Sequence, residues 1–164
     1  MISVYCDGSS HAHSGAPTGS AAVLIYKSKV VKKKVYKVLM EAELSGSNNT
    51  AELLAATIAL EHYKKKKKLR VYSDSEYVVK GMNTWSKKWV KNKWKDVAGK
   101  PVKNKKYWKR LLKAAEMHDV EFVHVKGHAG NYWNEMADNF AVRAKTYQIS
   151  GSTNPLPVDE DIRL

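Results

Sequence analysis

Cysteine is almost missing from this chain: Cys6 is the only one in 164 residues. No internal disulfide can form and no cysteine-built zinc cage exists, which fits a reducing cytoplasm. Long apolar runs are missing as well. None approaches the roughly 20 residues that a bilayer-crossing helix needs, so no membrane span is expected. The opening Met1-Ile2-Ser3-Val4-Tyr5-Cys6 lacks the basic start and apolar stretch of a secretory signal. Acids are scarce: 16 Asp and Glu stand against 29 Lys and Arg, a net charge of +13. A surface this basic attracts polyanions through phosphate contacts and counterion release. Nucleic acid is the leading partner, with an acidic membrane or an acidic protein as alternatives. What remains (43% hydrophobic, 27% charged residues) is the composition of one folded domain with a sizeable core.

Residues 2–6 alternate, placing Ile2, Val4 and Cys6 on one face before the turn signal Asp7-Gly8. Ser9 to Gly19 is small, polar and Gly/Pro-bearing, and reads as a loop. Ala21–Tyr26 and Val30–Leu44 read as two strands of a hairpin joined at Lys27-Ser28-Lys29. Asn49-Thr50-Ala51-Glu52 has the form of a helix N-cap with its acidic partner, followed by Leu53, Ala56 and Leu60 at helical spacing. That helix is expected to end in the lysine run Lys64–Lys68. A short strand at Leu69–Ser73 leads into a helical segment opened by Asp74-Ser75 and stopping near Gly81. Trp108–Met117 reads as a helix and Val120–Val125 as a strand. The last helix carries Trp133, Met136, Ala137, Phe140, Ala141 and Ala144, an i, i+3, i+4, i+7 stripe. Three strands, helix, strand, helices, strand and helix make a mixed α/β plan, an antiparallel meander feeding parallel strands.

Four acids stand at pointed places: Asp7 at a strand end, Glu52 in a first helical turn, Asp74 at a strand-to-helix junction and Asp138 on the last helix. Ligands of open α/β sheets collect outside the carboxyl ends of strands, where Asp7 and Asp74 lie. Clustered carboxylates repel unless a cation sits among them. Magnesium takes such hard oxygen ligands, and two such ions can activate water and stabilise a departing oxygen. Taken singly, each acid also has an ordinary reading. Asp7 suits a turn, Glu52 a capping box, Asp74 an N-cap and Asp138 a solvated helix face.

Several short motifs occur together in order: Asp7-Gly8-Ser9; Asn48-Asn49-Thr50-Ala51-Glu52-Leu53; Ser73-Asp74-Ser75-Glu76-Tyr77-Val78; Trp94-Lys95; Lys100-Pro101-Val102-Lys103-Asn104; and Val125-Lys126-Gly127-His128-Ala129-Gly130, then Asn134-Glu135 and Asp138. In these the chain resembles the bacterial-type (type 1) ribonucleases H from about Ile2 to about Ala144. The resemblance implies an α/β ribonuclease H-like fold with a five-stranded mixed sheet, its first three strands antiparallel and the rest parallel, flanked by helices. It implies that Asp7, Glu52, Asp74 and Asp138 hold two magnesium ions, with manganese a substitute, Asp7 bridging them. Glu52 would also approach the 2′-hydroxyl beside the scissile phosphate, and His128 would assist proton transfer or product departure. The activity implied is hydrolysis of the RNA strand of RNA–DNA hybrids, leaving 5′-phosphate and 3′-hydroxyl ends.

The same resemblance places Asn48 and Asn49 in the hybrid's minor groove, where 2′-hydroxyls are displayed. Ser47 and Asn104 fall in a phosphate pocket for the DNA strand, and Trp85 and Trp108 along the DNA channel. The stretch 84–106 resembles the family's basic protrusion. Lys80 to Lys113 contain a single acid, Asp96, and Trp85, Trp89 and Trp94 are threaded through them. Lys87, Lys88 and Lys91 are the expected phosphate contacts there. The loop Ser10–Pro17 departs from the family's pattern, so that its asparagine contact is either replaced by His13 or lost. The domain is expected over 1–147, followed by a flexible tail over 148–164, in a monomeric protein that is either free-standing, the favoured reading, or a domain cut from a reverse transcriptase polyprotein. Two rival readings are another nuclease of the same fold, which would cut DNA or strand ends, and a non-catalytic nucleic-acid binder.

Overall fold

The computed structural model describes residues 1–127 and 130–159. Its sheet is built from β1 (Ile2–Ser9), β2 (Ala16–Lys27), β3 (Lys34–Gly46), β4 (Lys68–Ser73) and β5 (Asp119–His124). β1 pairs antiparallel with β2 and β2 with β3, while β4 runs parallel to both β1 and β5. The resulting order, β5-β4-β1-β2-β3, is the expected mixed plan. Two further two-residue strands raise the count to seven among the described residues: β6 (Gly151–Ser152) and β7 (Leu156–Pro157), both on the outer edge of β3.

Helices cover both faces, so the strands are apolar on both sides. Val4 and Cys6 of β1 face a core completed by α1 (Asn48–His62) and α4 (Lys105–Glu116), where Leu53, Ala56, Leu60, Trp108 and Leu111 are buried. The intervening Tyr5 points the other way, to a smaller core with Val23, Ile25, Val38 and the α5 (Tyr132–Tyr147) residues Trp133 and Ala137. This is the two-residue period of a strand covered on both faces. The α5 stripe falls as its spacing predicts: Trp133, Ala137, Ala141 and Ala144 are buried, with Met136 and Phe140 packed beside them.

Several boundaries differ from the sequence reading. β2 begins at Ala16, inside the expected loop, and the hairpin turn occupies 28–33, with Lys32 in a left-handed conformation (φ 56°). α1 starts two residues early: Ser47, not Asn49, is its N-cap. The Ser47 hydroxyl accepts from Thr50 N (3.2 Å), and the Thr50 hydroxyl accepts from Ser47 N (2.8 Å). That reciprocal pair completes the capping box, leaving Glu52 out of it. The helix also ends at His62, before the lysine run, whose Lys68 opens β4.

The helical path after β4 does not stop at Gly81. α2 (Glu76–Lys80) passes through a π-helical turn at Gly81–Trp85 into α3 (Ser86–Lys91). Glycine is there for space: a Cβ on Gly81 would sit 2.0 Å from Cη2 of the buried Trp108 ring. Of the segment expected as a free tail, the described residues 150–158 lie along β3. The Ser150 hydroxyl accepts from Ala42 N (2.9 Å), the Thr153 hydroxyl from Val38 N (3.0 Å), and Val158 N donates to the Lys34 carbonyl (3.1 Å). An unpaired edge strand exposes its own donors and acceptors, and this segment satisfies them. None of the helices among the described residues is long and apolar enough to cross a membrane.

Candidate active site

Parallel pairing sets the site. Cys6 of β1 stands opposite Ser73 of β4, so the residues that follow, Asp7 and Asp74, emerge side by side at the carboxyl ends of neighbouring strands. α1 packs over β1 and brings Glu52 down between them. Ligand-capable oxygens of Asp7, Glu52 and Asp74 all lie within 4.8 Å of one another. Ser75, rather than Asp74, caps α2, its hydroxyl accepting from Val78 N (3.2 Å), and the Asp74 side chain lines the cavity. Asp138 of α5 lines the same open cavity, about 310 Å³, together with Gly8, Asn48 and Ser75. It stands outside the three-acid cluster.

The electrostatics are unfavourable as they stand. Asp7 and Glu52 are 5% and 4% exposed. Burial pushes the Asp7 carboxyl up to about 7. Hydrogen bonding with Glu52 and the Gly8 amide opposes the rise, and the charges of Asp74 and Asp138 add to it. Glu52 is raised well above the usual carboxylate range, first by burial and then by the charge of Asp7. The Gly8 amide donates to both Asp7 Oδ1 and Glu52 Oε1, each at 2.9 Å, yet Glu52 Oε2 is buried with no hydrogen-bond partner among the described residues. A buried carboxylate oxygen without a partner calls for a proton or a cation. The donor set is all oxygen and anionic, which suits hard divalent ions such as magnesium or manganese, and no soft ligand stands among the cavity residues.

The RNase H family model matches residues 1–146. The chain belongs to the ribonuclease H family, type 1. It is 38% identical over 150 residues to a ribonuclease H of Granulibacter bethesdensis, covering 88% of this chain and 92% of that one. With a ribonuclease H of Proteus mirabilis it shares 37% over 161 residues, 98% and 97% of the two chains. Among solved structures it is similar to LC9-RNase H1, described as a type 1 RNase H with the type 2 active-site motif. There the TM-score is 0.84 at 28% identity, covering 93% of this chain and 76% of that one.

The other residues expected to serve this ribonuclease H are placed unevenly. Asn48 borders the acidic cavity, and with Asn49 and Ser47 it also lines a second cavity of about 360 Å³. That cavity includes His11, His13 and Lys103, so the divergent loop lies against the asparagine pair. Ser47 has a local duty as the α1 cap. Asn104 adopts a left-handed conformation (φ 60°) at the start of α4, and its amide donates to the Tyr77 hydroxyl (3.1 Å). Lys87, Lys88 and Lys91 are exposed on α3. Trp85 is half-buried, its ring 6.2 Å from both Tyr77 and Trp89. Trp108 is not a surface residue: it is fully buried, with its Nε1 donating to the Tyr77 hydroxyl (2.9 Å), so it supports the protrusion from within the core. His128 lies outside the described residues.

Two participants escaped the sequence reading. Tyr77 is a hub, its hydroxyl accepting from both Asn104 and Trp108, and it ties the protrusion to the residues that follow Asp74. Its position in Ser75-Glu76-Tyr77-Val78 carried no signal of that contact. Ser75 was detectable as the better N-cap, being the hydroxyl three residues before Val78.

Proposed function

We propose that this ribonuclease H cuts internal phosphodiester bonds in the RNA strand of RNA–DNA hybrids, leaving 5′-phosphate and 3′-hydroxyl ends. The observation that carries this reading is the trio Asp7, Glu52 and Asp74 within 4.8 Å, with Glu52 Oε2 buried and unpartnered, on a chain of net charge +13. Asp7, Glu52, Asp74 and Asp138 are the residues that would hold two magnesium ions, or manganese in their place. When bound, such ions lower the pKa of water and neutralise charge developing on the leaving oxygen.

The chain's own residues supply the rest. The Gly8 amide fixes Asp7 and Glu52 relative to each other, so the carboxylates need little rearrangement on loading. Asn48, at the rim, and Asn49 beside it present amides suited to the 2′-hydroxyls of a minor groove. The exposed lysines of α3 hold phosphates without reading sequence. Trp85 flanks the channel. His128 is assigned proton transfer or product departure through the family motif Gly127-His128-Ala129-Gly130. The enzyme acts as a monomer in the cytoplasm, a setting its one buried, unbridged cysteine suits.

An end-labelled RNA–DNA hybrid, incubated with magnesium beside RNA duplex, DNA duplex and single-stranded RNA, tests the reading. Internal cuts confined to the hybrid's RNA, and abolished by chelator and by Asp7→Asn, are expected. Cleavage of DNA would assign the protein to another nuclease branch of the fold. Binding without any cleavage would make it a non-catalytic relative.

A further inference from the structure

Asp74 sits outside both β4 and α2, on a bend with no regular ladder of its own. The end of β5 lies against it. Val125 N donates to the Ser73 carbonyl (2.9 Å), which extends the β4–β5 pairing to the residue before Asp74. The His124 ring lies with Nε2 3.2 Å from the Asp74 carbonyl oxygen; a carbonyl only accepts, so this nitrogen carries the proton. Asn83 Nδ2 donates to the Phe122 carbonyl (3.3 Å), tying the same strand to the π-helical turn.

Gly127 completes the contact. A Cβ there would stand 2.8 Å from Asp74 Oδ2, 3.4 Å from its Cβ and 3.5 Å from its Cγ. Its backbone is not in the left-handed region, so conformation alone would accept alanine. Gly130 is the opposite case: φ is +80° with nothing within 4 Å of its would-be Cβ. Gly130 meets the need of its conformation, whereas a side chain at Gly127 would displace the Asp74 carboxylate, the movable end of its side chain.

We infer that His124 and Gly127 are positioning residues for Asp74: the end of β5 holds the Asp74 backbone from one side and limits where its carboxylate can lie. The inference rests on the reading of Asp74 as a metal ligand. Contacts of this kind orient ligands, and their loss lowers metal affinity about 10–100-fold.

Magnesium titration of the full-length protein without substrate, followed by the rise in melting temperature, tests it on wild type, Gly127→Ala, His124→Ala and His124→Gln. Melting in chelator and hybrid binding in chelator are measured alongside. Gly127→Ala is expected to melt like wild type in chelator, yet to need about tenfold more magnesium for half of the stabilisation. His124→Ala moves the same way by less, and His124→Gln, which keeps a donor, recovers toward wild type. Hybrid binding in chelator is unchanged throughout. If wild type itself gains no stability from magnesium, the metal-site reading fails, and this inference with it. If wild type responds and both Gly127→Ala and His124→Ala titrate identically to it, only the positioning role is overturned. Should Gly127→Ala not fold, the His124 pair decides: loss with alanine and recovery with glutamine supports the role, and no loss with alanine refutes it.

Discussion

Replacing Asp7 by asparagine should stabilise the metal-free protein at neutral pH while removing its activity. The folded state keeps a proton on Asp7 up to about pH 7, against an ordinary value of 3.8. Between these values the folded chain binds a proton that the unfolded chain has released, so stability falls as pH rises across that window. The stability linked to Asp7 is fully present below about pH 4 and gone above about pH 7. At 1.36 kcal/mol per pH unit the gap corresponds to on the order of 4 kcal/mol. For a chain of this length that is on the order of 10 °C in melting temperature. Asparagine mimics the protonated acid and carries no such dependence itself, so the difference between the two proteins isolates Asp7 from the fall that the buried Glu52 adds to both. Melting followed by circular dichroism in chelator, from pH 4 to pH 8, should therefore show the two proteins nearly equal at pH 4. The variant's advantage should grow through the window and level off above it. Magnesium at pH 8 should then narrow the gap by stabilising wild type alone. Parallel melting curves for the two proteins across the whole range would refute the argument that burial among like charges destabilises this site.

Three further outcomes follow from the packing and the surface. Trp108→Ala should cost about 3–5 kcal/mol in denaturant unfolding, as a buried aromatic truncation does, whereas Trp85→Ala should change stability little and weaken hybrid binding. Converting Lys87, Lys88 and Lys91 together to alanine should reduce the salt dependence of hybrid binding, its log–log slope dropping by about 2–3, with kcat at saturating hybrid unchanged. Ending the chain after Gln148 strips the bonds to Ala42, Val38 and Lys34; a loss of about 2 kcal/mol and new concentration-dependent association through the bared β3 edge are expected by melting and light scattering.

Fold class and acid cluster were legible because both rest on local order. Alternation in residues 2–6, the α5 stripe and the strand-end positions of Asp7 and Asp74 are properties of short segments, and parallel pairing of β1 with β4 converts them into a site. What the sequence hid depends on long-range contacts. Gly81 looked like a helix stop, since glycine usually disfavours helix interiors, but it answers to Trp108, 27 residues on. The family resemblance places Trp108 along the channel; in the fold its ring packs on Gly81 and bonds to Tyr77, contacts that periodicity does not link to it. The tail carries too few apolar residues to announce a strand. Its pairing rests on backbone groups and on the Ser150 and Thr153 hydroxyls, which no hydrophobic pattern records.

Asp138 separates the two kinds of information. Its position in the family motif marked it as equal to the other three acids, yet it reaches the site from α5, on the opposite face of the sheet from the helix that carries Glu52. It lines the cavity while standing outside the 4.8 Å cluster, and it is half-buried where Asp7 and Glu52 are buried. Its charge raises the Asp7 carboxyl only after burial and Asp74 have acted. Asp138→Asn should thus leave the wild-type dependence of stability on pH nearly intact, moving the fall to slightly lower pH because one repelling charge has gone. Asp7→Asn removes the part of that fall that Asp7 carries and leaves the part carried by the buried Glu52. Both variants weaken the site's hold on magnesium. A pH-dependent fall for Asp138→Asn reduced as much as that of Asp7→Asn would mean that Asp138 belongs to the buried cluster, and that the site is one four-acid pocket rather than a deep trio with a fourth acid at its rim.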